Sequence, residues 1–378
     1  MKKIQMVDLI SQYNGIKTEI DSAIQEVLDS ASYINGYQVS QFAANLAEYL
    51  NVKHVIPCGN GTDAIQIALM ALDLKPGDEV IVPVHTYVAT AEAIALLKLK
   101  PVFVDVNEDD FTLNVNYLNK VLTSKTKAIV PVHLYGQCAN MQPIMSFASA
   151  NKIAVIEDAA QAIGADFISK YKENQKAGTI GDIGTTSFFP SKNLGCFGDG
   201  GALLTNNKEL AEKCKLIANH GQKKKYHHDI IGCNSRLDTL QAAILDVKLK
   251  YLDDYIKKRQ EVANKYDEEF CDIDGISIPF RSEHSTHVFH QYTIRIEKNR
   301  DLIKKKLAEA GIPTMIYYPI PLHLQRAYIQ EDKGNGTFPV TERLSATVLS
   351  LPIHTEMVEE EQKYIIENFI KILTQING

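Results

Sequence analysis

Three short stretches of this 378-residue chain combine residue types that can do chemistry. The first is Gly59-Asn60-Gly61-Thr62-Asp63-Ala64, ahead of an amphipathic helical run. Glycines let the backbone turn tightly and expose its N–H groups. The helix then adds unpaired donors and the positive end of its dipole. Such a turn suits an anion, a phosphate for instance, and plain capping by Thr62 or Asp63 explains the same letters. It lacks the Lys-Ser/Thr pair of a P-loop and is too short for a dinucleotide fingerprint. The second is Val155-Ile156-Glu157-Asp158-Ala159-Ala160-Gln161, where two carboxylates stand at the end of an apolar run. An acid at that edge can hold a cationic group in a cleft; Asp158 as a helix cap is the alternative. The third is Thr186-Ser187-Phe188-Phe189-Pro190-Ser191-Lys192-Asn193-Leu194-Gly195, followed by Gly198-Asp199-Gly200-Gly201. A lysine between an aromatic strand and a glycine-rich turn is open to desolvation, which lowers its pKa and lets it form a Schiff base. A solvated surface lysine, a core role for Phe188 and Phe189 and a plain glycine loop are the bland readings.

The elements that must position these residues alternate. Val80–Val82, Pro101–Val106, Ala128–Val132 and Ala154–Ile156 read as strands, with Val88–Leu97 an Ala-rich helix and a helical stretch between each pair. That pattern predicts an α/β domain with a mainly parallel sheet buried on both faces, its functional residues in loops at the strand ends. Apolar spacing at Ile16, Ile20, Ile24, Val27 and Leu28 predicts an N-terminal helix. Residues 237–270 read as one long helical stretch or two abutting ones. A strand near 288–296, a helix near 302–310 and a last helix near 359–373 then give a smaller α+β unit. The division expected is a large domain over residues 1–250 and a small one over 251–378.

Bulk properties exclude several classes. At 45% hydrophobic residues the chain can bury a substantial core. A net charge of −6 attracts no nucleic acid, so an anionic substrate needs a local basic site. No apolar run is long enough to span a membrane, and MKKIQMVDLI lacks the features of a signal peptide. The six cysteines show no CxxC spacing and read as free thiols in a reducing cytoplasm; no metal site is expected. The run Lys223–Lys225 reads as a solvated loop.

Taken in order, Gly-Asn-Gly-Thr-Asp-Ala, Glu-Asp-Ala-Ala-Gln, Ser-Phe-Phe-Pro-Ser-Lys and Asn-Ser-Arg-Leu-Asp resemble the sugar aminotransferases of the DegT/DnrJ/EryC1/StrS family. The resemblance runs from Val7-Asp8-Leu9 to Tyr-Pro-Ile-Pro at 318–321. It implies the aspartate-aminotransferase fold (fold type I), with a mainly parallel seven-stranded sheet and a smaller C-terminal α+β domain. It also implies a homodimer with active sites at the subunit interface, and pyridoxal 5′-phosphate as cofactor. Residue by residue, Lys192 matches the Schiff-base lysine, where a His would imply dehydration instead. Asp158 matches the acid that pairs with the pyridine nitrogen, and Gln161 the residue near the phenolic oxygen. Tyr87 matches the aromatic that stacks on the ring. Gly61, Thr62 and Ser187 match the phosphate cradle, and Asn234 a phosphate contact from the other subunit. Gln41-Phe42-Ala43-Ala44 departs from the family's usual Phe-Glu, on a helix near the substrate entrance.

The activity implied is ping-pong transfer of an amino group, from glutamate as the expected donor, to a nucleotide-linked keto sugar at C3. The setting is bacterial surface-polysaccharide (O-antigen, lipopolysaccharide) or amino-sugar biosynthesis. Arg236, Tyr318 and His220 are the expected substrate contacts. His85 and Leu322-His323-Leu324-Gln325 lean toward dTDP-linked 3-keto-6-deoxyhexoses. His220-Gly221-Gln222, Tyr226-His227-His228 and Asn234 to Leu240 lean toward UDP-linked 2-acetamido-3-keto-glucuronate. Arg236 could pair with the uronate carboxylate, or with Asp238 or a neighbouring acid. A cofactor-free Schiff-base aldolase and a catalytically silent, cofactor-binding regulator are the competing classes. The phosphate cradle argues against the first, and the acidic charge without a DNA-binding segment against the second.

Overall fold

A computed structural model describes residues 3–169, 173–328 and 334–377. Its centre is a seven-stranded sheet in the order His54–Cys58, Gly201–Thr205, Ile183–Ser187, Ala154–Asp158, Thr126–Ile129, Glu79–Pro83, Lys100–Val104. Only Gly201–Thr205 runs against the others, pairing antiparallel with both neighbours.

Both faces of the sheet are covered, which is why its strands read as continuous apolar runs. Successive side chains point to opposite faces. Val80 and Val82 enter one core with Ile65, Ile156 and Leu203. Ile81 enters the other with Phe42, Leu46, Val155 and Leu245. Helix Gly61–Ala71 covers the first face. Tyr37–Leu50, Met141–Asn151 and Thr239–Leu249 cover the second.

Three local points are decided by the structure. Among the described residues no helix joins Ala154–Asp158 to Ile183–Ser187; after Asp158 the chain turns through i+3 bonds from Ala162 N to Ala159 O and from Ala165 N to Ala162 O. Gly164 continues that turn at φ +86°, a conformation that suits glycine. The stretch 237–270 is two abutting helices, Thr239–Leu249 and Leu252–Phe270. Lys223–Lys225 is not a bare loop, because Gln222–Lys224 pairs with His227–His228.

Beyond the second of those helices, Ile276–Ser277, Tyr292–Ile296 and Val348–Leu351 form an antiparallel sheet. Its core holds Tyr266, Phe270, Tyr292 and Phe369, joined from the N-terminal end of the chain by Ile4. The strand expected from 288 starts at Tyr292, after Phe289 at φ +47°.

Candidate active site

Asp158 ends its strand, with its amide donating to Pro131 O and its carbonyl accepting from His133 N, both at 2.9 Å. Its buried carboxylate accepts from Thr90 Oγ1 at 2.8 Å and from Ala160 N at 3.2 Å. The turn that follows is not a helix, so Asp158 caps none. Glu157 points the other way and is fully buried. It accepts from Ile180 N and Gly181 N at 2.6 Å, from Gly178 N at 3.0 Å and from His133 Nε2 at 2.8 Å. His133 Nδ1 accepts from Ala139 N, which leaves Nε2 to carry the proton toward Glu157. Of the two carboxylates, Glu157 is thus committed to holding the 178–181 turn.

Gln161 ties two distant segments together. Its Oε1 accepts from Tyr135 N at 2.8 Å, and its Nε2 donates to Tyr318 Oη at 3.1 Å. Tyr135 Oη in turn donates to Tyr317 O and lies 3.2 Å from His85 Nε2. Burial pulls the His85 imidazole down to about 4, so the ring is neutral at pH 7. Tyr87 precedes helix Val88–Leu96 with its ring 57% exposed and 6.1 Å from that of Tyr318.

Gly61 opens its helix, and the cap is Asn60, whose Oδ1 accepts from Asp63 N at 2.8 Å; neither Thr62 nor Asp63 plays that part. The amides of Gly61 and Thr62 therefore meet no acceptor among the described residues. A Cβ on Gly61 would lie 2.8 Å from Ser187 Cβ, so only glycine lets this helix start sit against the end of strand Ile183–Ser187.

Lys192 follows that strand in a tight loop, its amide donating to Phe189 O at 2.8 Å. Burial lowers the side-chain amine to about 8, against the opposing pull of the Asp158 carboxylate. Phe188 is core, edge-on to Phe42 at 5.4 Å, while Phe189 is exposed. The buried His290 imidazole also feels Lys192; burial first, then that cation, pushes it well below its ordinary value.

Among the described residues Asn234, Arg236 and His220 make no hydrogen bond to Lys192 or Asp158. Asn234 is exposed and bridges Asn219. His220 is exposed at φ +59°. Arg236 lines a cavity of about 440 Å³ with Tyr37, Ser40, Ala43, Lys215 and Asn219, and neither Lys192 nor Asp158 reaches it. Among the described residues Arg236 pairs with no acid, Asp238 included. Ser235, between Asn234 and Arg236, accepts from Gly59 N at 2.9 Å and so fixes this segment beside the Gly59–Thr62 turn. No cluster of three His, Cys, Asp or Glu side chains among the described residues could hold a metal.

Sequence reasoning missed Thr90 and His290. Thr90 lies one helical turn after Tyr87, a spacing that places both on one face. His290 carried no local signal, since 98 residues separate it from Lys192.

The sequence model of the DegT/DnrJ/EryC1/StrS aminotransferase family matches residues 14–370. The chain is 47% identical over 351 residues to the UDP-2-acetamido-2-deoxy-3-oxo-D-glucuronate aminotransferase of Pseudomonas aeruginosa, covering 93% of this chain and 95% of that one. It is 46% identical over 366 residues to the pleiotropic regulatory protein of Geobacillus stearothermophilus, covering 96% and 97%. The crystal structure of NtdA from Bacillus subtilis with bound cofactor PMP superposes with a TM-score of 0.91 at 35% identity, covering 99% of this chain and 86% of that one.

Proposed function

Because the chain belongs to the DegT/DnrJ/EryC1/StrS aminotransferase family, we propose that it moves an amino group from glutamate to C3 of a nucleotide-linked keto sugar. It is a pyridoxal-phosphate-dependent aminotransferase. The observation that carries the proposal is the convergence of a desolvated Lys192, a buried Asp158 and the Gly61–Ser187 contact.

These residues fit the cofactor. Two uncommitted amides at a helix start, with the Thr62 and Ser187 hydroxyls, suit a phosphate monoester. Asp158, held by Thr90 and Ala160, suits a protonated ring nitrogen. Tyr87 offers an exposed aromatic face, and Gln161 stands between Tyr135 and Tyr318. When bound, the cofactor supplies a carbonyl for amine exchange and a ring that draws electrons from the reacting carbon. Lys192 Nζ, lowered to about 8, is partly deprotonated at neutral pH. It takes the α-proton of the amino donor and later returns a proton to C3 of the sugar.

The uronate reading of the substrate comes first. It rests on Arg236, a cation with no acid partner among the described residues of its own chain, and on the likeness to a UDP-linked 3-oxo-glucuronate aminotransferase. The dTDP-linked 6-deoxyhexose reading rests on His85, whose ring lies 6.0 Å from that of Tyr318. Its other support weakens, because His323 is buried and bonded to Glu342 at 3.1 Å.

In our reading the active site is completed by a second copy of the chain, with Asn234 reaching the partner's cofactor phosphate. Exposed Tyr226 and Ile231 beside it are apolar surface that such a contact would cover. Among the described residues no helix is long and apolar enough to cross a membrane, and all six cysteines are free. We place the reaction in the cytoplasm, on the route to bacterial surface polysaccharides. The test is a panel of 3-keto sugar nucleotides with glutamate, read by mass spectrometry. Amination of the UDP-linked 3-keto-glucuronate is expected; turnover of no keto sugar nucleotide would overturn the reading.

A further inference from the structure

A fully buried lysine lies behind the loop that carries the half-buried Lys192. Lys248, on helix Thr239–Leu249, is 2% exposed. Its Nζ donates to Gly195 O at 2.6 Å and sits 5.6 Å from the centre of the Phe197 ring. Among the described residues no carboxylate forms an ion pair with it. An unpaired amine at that depth is costly, and Met would fill similar space without the penalty. Something in the fold must use its hydrogen bond.

The acceptor shows what. The chain makes a closed loop between Phe188 and Cys196, tied by Cys196 N to Phe188 O at 2.8 Å, with Lys192 at its tip. Gly195 packs against the loop's own start, since a Cβ there would lie 2.4 Å from Pro190 O. Lys248 holds the Gly195 carbonyl, three residues after Lys192. Gln241, two turns earlier on the same helix, accepts from Phe197 N at 2.8 Å. Asn193, next to Lys192, donates to Val288 O at 2.8 Å from the other side. Four residues before the helix begins, the Ser235 hydroxyl holds Gly59. The helix thus grips the Lys192 loop at two points, and the segment leading into it holds the Gly59–Thr62 turn.

We propose that Lys248, together with Gln241, is a positioning residue for Lys192: by gripping the Gly195–Phe197 backbone it sets the depth at which the Lys192 amine is held. It touches neither substrate nor cofactor. The inference rests on the reading that Lys192 is the working amine. That reading fails separately, if borohydride reduction of the wild-type holoenzyme attaches the cofactor to another lysine.

Lys248→Met removes the donor and keeps the bulk. In the apoenzyme, amine acylation at Lys192 is followed against pH by peptide mass spectrometry; the wild-type midpoint is expected at about 8. In a folded Lys248→Met the loop loosens, water reaches Lys192, and the midpoint rises toward the ordinary lysine value. In the holoenzyme kcat falls about ten- to a hundredfold, with KM for the amino donor unchanged, as a misplaced reacting group predicts. If Lys248→Met does not fold, Gln241→Leu, at a half-buried neutral position, is judged by the same two measurements. A folded variant whose midpoint stays put, or whose kcat is unchanged, overturns the proposal.

Discussion

Thr90 Oγ1 donates to Asp158 Oδ2 at 2.8 Å across 68 residues of sequence. Asp158's other oxygen accepts from Ala160 N. The first turn of the helix that Tyr87 caps therefore fixes the orientation of the buried acid. A hydrogen bond to a charged group contributes about 1.5–3 kcal/mol. Thr90→Val keeps the side-chain shape and removes the donor. We expect kcat/KM to drop about tenfold or more, with recovery in Thr90→Ser. Wild-type kinetics in a folded Thr90→Val would show that Asp158 needs no orientation from this helix.

Lys192 and Asp158 make a prediction about pH. Burial disfavours the ammonium and brings the amine from 10.5 to about 8; the Asp158 carboxylate acts in the opposite sense. Asp158→Asn removes only the opposing effect, so the acylation midpoint of Lys192 in the apoenzyme should move further down, below about 8. A midpoint that rises in this variant would contradict the assigned causes.

The proposed sharing of sites between subunits can be read from mixed dimers. Asn234→Ala and Lys192→Ala are each expected to be nearly inactive. If Asn234 serves the partner's site, the heterodimer collects both defects in one site and leaves the other intact. Mixing should then restore part of the activity. No recovery in heterodimers whose formation has been verified would place Asn234 in its own subunit's site.

Arg236 decides between substrate classes. A uronate carboxylate must lose water beside two other anions, and Arg236, which shares its cavity with Lys215, is the cation proposed to receive it. Removing one partner of a desolvated charged pair costs about 3–5 kcal/mol. Arg236→Ala should therefore lower kcat/KM for a 3-keto-glucuronate by roughly two to three decades and leave a 6-deoxyhexose little changed. Equal losses on both sugars would rule out selective carboxylate recognition and point to the diphosphate.

The sequence by itself determined the chemistry-bearing blocks and the parallel α/β architecture. Both are local signals: a glycine turn before a helix, carboxylates ending an apolar run, and strands apolar throughout because two cores receive their alternate residues. Only the tertiary structure separated Glu157 from Asp158, neighbours with opposite fates. Side chains alternate along a strand, so one meets the 178–181 turn and the other meets Thr90. Spacing likewise could not pick Asn60 over Thr62 as the cap, nor tell core Phe188 from exposed Phe189, because those outcomes depend on where the backbone leaves the strand. Thr90, His290 and Lys248 stayed illegible for the same reason. Each acts on a segment tens of residues away, and a hydrogen bond or a desolvated charge exists only once folding has brought its two ends together.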